Sequence, residues 1–122
     1  MTKFVGKAKE VLDTVEIVRI GTCDEGGAHL VATWGDYVRT MGIQEGDVIL
    51  IPAGGYHQTE KNLRGNPRVE VLLASQQAGT GFRLIGRAEV QTDGNWAERV
   101  KDVYGWARGA LVVHVEEVEK LL

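Results

Sequence analysis

Cysteine is almost missing from this chain. Cys23 stands alone, which excludes an intrachain disulfide and any cysteine metal cluster. Its neighbours Asp24 and Glu25 raise a thiol pKa rather than lower it, so a reactive thiolate is not expected there. No apolar run approaches the length of a membrane-spanning helix, and the start, Met1-Thr2-Lys3-Phe4, has no apolar signal core. A cytoplasmic protein with no membrane partner is the expectation. Positive charge is not in excess: the net charge is −3, with the basic residues spread along the chain. That argues against nucleic-acid binding by phosphate neutralisation. The histidines His29, His57 and His114 form no ligand-spaced pair, so no metal site is expected. There is no G-x-S-x-G, and Ser75 has no evident base, so no catalytic residue is assigned.

What is present fits one soluble domain over residues 1–122, since 43% hydrophobic and 25% charged content is far from a disordered composition. Sixteen glycines, about twice the usual share, favour many turns and hence a β-rich fold.

Residues 8–14 end a short amphipathic helix, with Val5, Ala8, Val11, Leu12 and Val15 on one side. "EIVRIGT" (16–22) and "HLVATW" (29–34) form a hairpin about the turn cluster "CDEGGA". "GDVILIPAG" (46–54) reads as a strand buried on both faces, and a helix over 58–64 follows, with His57 or Thr59 near its cap. "RVEVLLAS" (68–75) and "GFRLIGRAEVQT" (81–92) are strands, the second with a bulge or bend at Gly86. A helix over 95–106 and a strand over 110–118 complete the chain. About six mostly antiparallel strands with two or three marginal helices give an α+β, mainly β fold built on a small closed barrel.

The Gly54-Gly55 turn, between a buried strand and a helix, could offer backbone N–H groups and a helix end to an anion. Gln58, Thr59, Lys61 and Arg64 stand ready as side-chain donors. A tight strand-to-helix turn explains the same glycines at least as well. Trp34 and Trp106 fit either core packing or the flanks of a planar conjugated ligand.

Five segments together carry a resemblance: "HLVATWGDY" (29–37), "PAGGYHQTEKNL" (52–63), "NPRV" (66–69), "GTGFRLIGRAEVQTDG" (79–94) and "WARGALVVHVEEVEKLL" (106–122). From about Glu10 to Leu122 the chain resembles the small FMN-binding proteins of sulfate-reducing bacteria, within the pyridoxamine 5'-phosphate oxidase-like split-barrel group. The resemblance implies a six-stranded antiparallel split barrel with short flanking helices, forming a homodimer with FMN at the subunit interface. It implies that Val31, Ala32, Thr33 and Trp34 line the flavin, with Tyr37 within reach. Pro52, Ala53, Gly54 and Gly55 would follow its edge, and Gln58 and Thr59 would reach the phosphate. Gly79, Thr80 and Gly81 would lie near the cofactor, with Trp106 nearby and the Leu122 of the other subunit over the ring.

The resemblance breaks at two positions: a member of that family carries Asn and Lys where this chain has Ala32 and Gln58. Loss of a charge-assisted bond at 58 corresponds to about 1–2 kcal/mol, roughly tenfold in affinity. The resemblance implies an electron-transfer flavoprotein serving a redox partner protein. A flavin reductase or a pyridoxamine phosphate oxidase-like enzyme on the same fold is the second reading, and a cofactor-free dimeric binding module is the third.

Overall fold

A computed structural model describes residues 1–122. Chain periodicity explains most of its elements. β1 (Ile17–Asp24) buries Val18, Ile20 and Thr22 and turns Arg19 outward, as strict alternation requires. A tight turn at Glu25-Gly26, in which Asp24 accepts a hydrogen bond from the Gly26 N–H at 2.7 Å, returns the chain as β2 (Gly27–Trp34). The hairpin read from the sequence is therefore present, with Ile17 opposite Trp34 and Asp24 opposite Gly27.

The remaining strands are β3 (Ile43–Gln44), β4 (Val48–Ala53), β5 (Arg68–Ser75), β6 (Thr80–Gln91) and β7 (Gly109–Lys120). The helices are α1 (Gly6–Thr14), α2 (Gly35–Met41), α3 (His57–Gly65) and α4 (Gly94–Val103). One sheet holds all the strands in the order β2-β1-β5-β6-β7-β4-β3, with every neighbouring pair antiparallel.

Three expectations need correction. There are seven strands rather than six, because a two-residue β3 pairs with β4. Four helices form, not two or three: α2 is only seven residues long and begins on a glycine. Its Asp, Tyr, Val and Thr are weak helix formers, so tertiary contacts decide its state. Gly35 has no room for a side chain, since a Cβ would meet the Val15 carbonyl oxygen at 1.9 Å. Arg39 of α2 donates to the carbonyls of Leu12 and Val15 at the end of α1, at 3.1 and 2.6 Å. The hydrogen-bond ladder also stays open instead of closing, with β2 and β3 as its edges.

The sheet nevertheless curls enough for its distant strands to share a core. Val18 and Ile20 of β1 and Ile49 and Ile51 of β4 belong to one cluster of 20 buried residues, together with α1. A second cluster of 7 sits on the other face of β4, where Val48 and Leu50 meet Val100 of α4 and Val112 of β7. That is why β4 is buried at every position and reads as an unbroken apolar run. Truncating one of these isoleucines to Ala typically costs about 2–5 kcal/mol.

Gly86 marks a bulge, as its place in the long strand suggests: Ile85 pairs with Glu117 while Gly86 pairs with Val115, leaving Glu116 as the extra residue on β7. A Cβ on Gly86 would stand 2.0 Å from the His114 carbonyl oxygen, so only glycine permits this approach. No helix is long and apolar enough to cross a membrane.

Candidate functional site

β4 delivers the chain to a turn with an unusual division of labour. Pro52 and Ala53 are buried within the strand, whereas Gly54 and Gly55 are exposed. Neither glycine is left-handed; the residue that is, Tyr56, has φ 63° and ψ 32°. Tyr56 is the N-cap of α3, so neither His57 nor Thr59 occupies that position, and no side chain caps the helix. The first N–H groups of α3 are thus left for solvent or for a ligand. Gly54 has a packing reason to lack a side chain, because a Cβ there would meet Cε3 and Cζ3 of Trp106 at 3.1 and 3.2 Å. A Cβ on Gly55 would meet nothing within 4 Å.

Two donors expected on this helix behave differently. Thr59 is wholly buried, and its hydroxyl has no hydrogen-bond partner. Gln58 already has one: its amide donates to Asn62 Oδ1 at 2.8 Å, and Asn62 donates to Thr22 Oγ1 at 3.2 Å. An i,i+4 bond therefore ties Gln58 along the helix, toward β1.

β2 lies beside this turn. The Tyr56 hydroxyl donates to the Ala32 carbonyl at 2.8 Å. Burial of the phenol raises its pKa above the ordinary 10.0, a hydrogen bond with Thr33 opposes the rise, and Tyr37 adds to it. The group is a neutral donor across the physiological range. Along β2, Val31 is half-buried against the core, Ala32 is exposed, Thr33 is buried and Trp34 is 53% exposed. Ile17, Ala32, Thr33 and Trp34 line a shallow hollow on this edge strand. Tyr37, on α2, belongs to an aromatic cluster, with its ring centroid 4.8 Å from Tyr104 and 5.8 Å from Trp106. Trp106 is 55% exposed, so one side of this cluster is open.

Arg108 completes the turn. Its backbone N–H donates to the Ala53 carbonyl at 2.9 Å, and its guanidinium donates to the Gly55 carbonyl at 2.9 Å and to Glu60 at 2.8 Å. Glu60 also accepts from Arg64 at 2.9 Å. Burial alone would raise the Glu60 pKa, but the hydrogen bonds and charges of Arg108 and Arg64 outweigh it and hold the carboxyl below its ordinary 4.5.

The last group of expected residues gathers elsewhere. Gly79 is left-handed at φ 75° in the turn before β6. Thr80 Oγ1 donates to the Leu122 carbonyl at 2.5 Å, and the Leu121 N–H donates to the Gly81 carbonyl at 2.9 Å. A Cβ on Gly81 would meet Leu122 Cδ1 at 3.2 Å. These contacts fix the C-terminus beside β6, with Leu122 itself 72% exposed. Between β2 and β6 lie β1 and β5, so the two groups stand three strand spacings apart, about 14 Å along the sheet.

The sequence pattern of pyridoxamine 5'-phosphate oxidase matches residues 4–121, nearly the whole chain. The chain belongs to that family. It is also 39% identical over 119 residues to the FMN-binding protein of Nitratidesulfovibrio vulgaris strain Miyazaki F, covering 93% of this chain and 94% of the relative. Among solved structures, Group A Streptococcus HupZ is similar with a TM-score of 0.76 at 22% identity, over 93% of this chain and 92% of that one. An FAD-binding protein of Mesorhizobium loti has a TM-score of 0.65 at 16% identity, over 98% and 94% of the two chains. At these identities the structural likeness concerns the fold.

Within this member of the oxidase family, three further residues at the turn and in the aromatic cluster carry no signal in the local sequence. Tyr56 sits between the glycine pair and the helix, where a left-handed residue was needed and glycine was the obvious candidate. Arg108 lies within "WARGA", where nothing in the local spacing distinguishes it from an ordinary surface arginine. Tyr104 falls within the helix expected over 95–106 but lies just beyond the end of α4, in the aromatic cluster.

Proposed function

We propose that this chain binds FMN and carries electrons between partner proteins as a homodimer. The observation that carries the reading is the meeting, at one place, of an uncapped helix start with a buried unpartnered Thr59 hydroxyl and an open aromatic wall. The first suits a phosphate and the second a planar ring. The 39% identical relative named for FMN binding supports the choice of ligand. The residues fit the group. Thr59 and the amides of Gly55 to Gln58 would hold the phosphate, and Val31, Ala32, Thr33 and Trp34 would lie along the ring, with Tyr37 and Trp106 nearby. Pro52, Ala53 and Gly54 would border the ligand through their backbone.

The chemistry supplied by bound FMN is reversible electron uptake at its isoalloxazine ring. The protein orients the ring and sets the polarity around it. Apolar Trp34 and Leu122 against the ring disfavour an added negative charge and so lower the reduction potential.

Leu122 supports the dimer. It is exposed and anchored three strands from Trp34 of its own chain, so a second copy would bring it, with Gly79, Thr80 and Gly81, to the flavin. β2 is an unpaired edge displaying Leu30 and Trp34, an apolar strip that a second subunit would cover.

A visible absorption spectrum of the protein as purified, with mass measurement of the released cofactor, tests the ligand. A yellow protein releasing FMN is expected; a colourless protein with no spectral response to added FMN rejects the reading. Sedimentation separately tests the dimer. NAD(P)H consumption with added FMN tests for turnover, and a rate that scales with protein concentration would replace the electron-carrier role with a reductase.

A further inference from the structure

The side chain that stands out at the turn is Arg108, because one guanidinium nitrogen serves two acceptors of opposite consequence. Its first acceptor is the Gly55 carbonyl, at 2.9 Å. In a trans peptide the C=O and the following N–H point in opposite directions, and no peptide bond in the chain is cis. Holding the Gly55 carbonyl toward Arg108 therefore turns the Tyr56 N–H away from it. Tyr56 is a left-handed non-glycine residue at the entry to α3, a conformation that needs support from its surroundings. Arg108 provides it from outside the turn, and its backbone N–H grips Ala53 as well.

The second acceptor is Glu60, at 2.8 Å, in the first turn of α3. A free carboxylate there suits the helix dipole but repels an incoming anion. Arg108 and Arg64 bracket it, one on each carboxylate oxygen. Two guanidinium groups against one carboxylate leave one net positive charge beside the helix start. Gln58 contributes none, and its amide is committed to Asn62.

Building on the FMN reading, we propose that Arg108 is a positioning residue for the phosphate end of the site. It fixes the Gly55–Tyr56 peptide and neutralises Glu60, and thereby sets the preference of this chain for a phosphorylated flavin over an unphosphorylated one. Arg108 thus compensates, from β7, for the charge missing at Gln58.

The test compares FMN and riboflavin binding, by quenching of flavin fluorescence, in the wild-type protein, Arg108→Met and Arg108→Lys. Wild type prefers FMN. In Arg108→Met the FMN affinity falls about tenfold while riboflavin affinity stays within about twofold. Arg108→Lys keeps the charge but not the fork and falls between the two. Equal losses for both flavins, or no loss for either, overturn the proposal by making Arg108 a packing residue or a bystander. If Arg108→Met does not fold, the FMN-to-riboflavin ratio of Arg108→Lys decides, and an unchanged ratio overturns the proposal. The FMN reading itself fails differently, in a wild-type protein that binds neither flavin, and the proposal falls with it.

Discussion

Tyr56 donates its hydroxyl hydrogen to the carbonyl of Ala32 at 2.8 Å, joining the edge strand β2 to the turn that starts α3. One side chain thus couples the two segments proposed to hold opposite ends of a flavin. Tyr56→Phe keeps the ring and removes the bond. It should cost about 0.5–1.5 kcal/mol in urea denaturation, with a several-fold loss of FMN affinity as β2 loosens. Because the folded phenol pKa is raised, the contribution is complete below the ordinary 10.0 and fades as pH climbs through the folded value. The difference between wild type and Tyr56→Phe should therefore be constant from neutral to mildly alkaline pH.

The two glycines of the turn should respond unequally. Gly54→Ala places a methyl group 3.1 Å from the Trp106 ring, so the indole must shift, at a cost of about 1–3 kcal/mol. Gly55→Ala meets open space at a φ outside the left-handed range, and should change stability by less than about 1 kcal/mol, in the stabilising direction. Denaturation midpoints and tryptophan emission of the two variants check this contrast.

Gln58→Lys tests affinity against stability. A lysine would restore charge at the helix start and should tighten FMN binding about tenfold. It would also leave the Oδ1 of buried Asn62 without its donor, at a cost of about 1–3 kcal/mol. Calorimetric titration with FMN and thermal denaturation of the same sample should show the two effects moving in opposite directions.

Acid should weaken the turn through Glu60. Its folded pKa lies below the ordinary 4.5, so the stability it contributes is complete above about pH 4.5 and is lost as pH falls through the lower folded value. Glu60→Gln removes this dependence. The stability gap between wild type and Glu60→Gln should hold from neutral pH down to the ordinary carboxylate range and close only as pH falls below the lowered folded value. A gap that persists at the acid end would mean that Glu60 acts by shape and not by charge.

Strand periodicity and the glycine pattern were enough to place the hairpin, the doubly buried β4, the β5 strand at its true ends and the bulge at Gly86. Each is a local property of the chain: alternation reports a half-buried strand, and an unbroken apolar run reports two packed faces. The short α2 escaped because its residues prefer other states. It is held by Arg39 on the end of α1 and by the close approach at Gly35, contacts between segments far apart in sequence.

The same division applies to the candidate site. The order of motifs along the chain determined the family, the turn after β4 and the helix that follows it, because these depend on residue types at fixed spacing. Tertiary structure alone decided that Tyr56 rather than a glycine takes the left-handed position, that Gly54 yields its space to Trp106, and that Arg108 reaches Gly55 and Glu60 across 53 and 48 residues of chain. It also separated Leu122 from Trp34 by three strands of one sheet. The physical reason is that a side chain's partner depends on which strands lie side by side, and antiparallel pairing of β4 with β7 brings together residues that no local pattern connects.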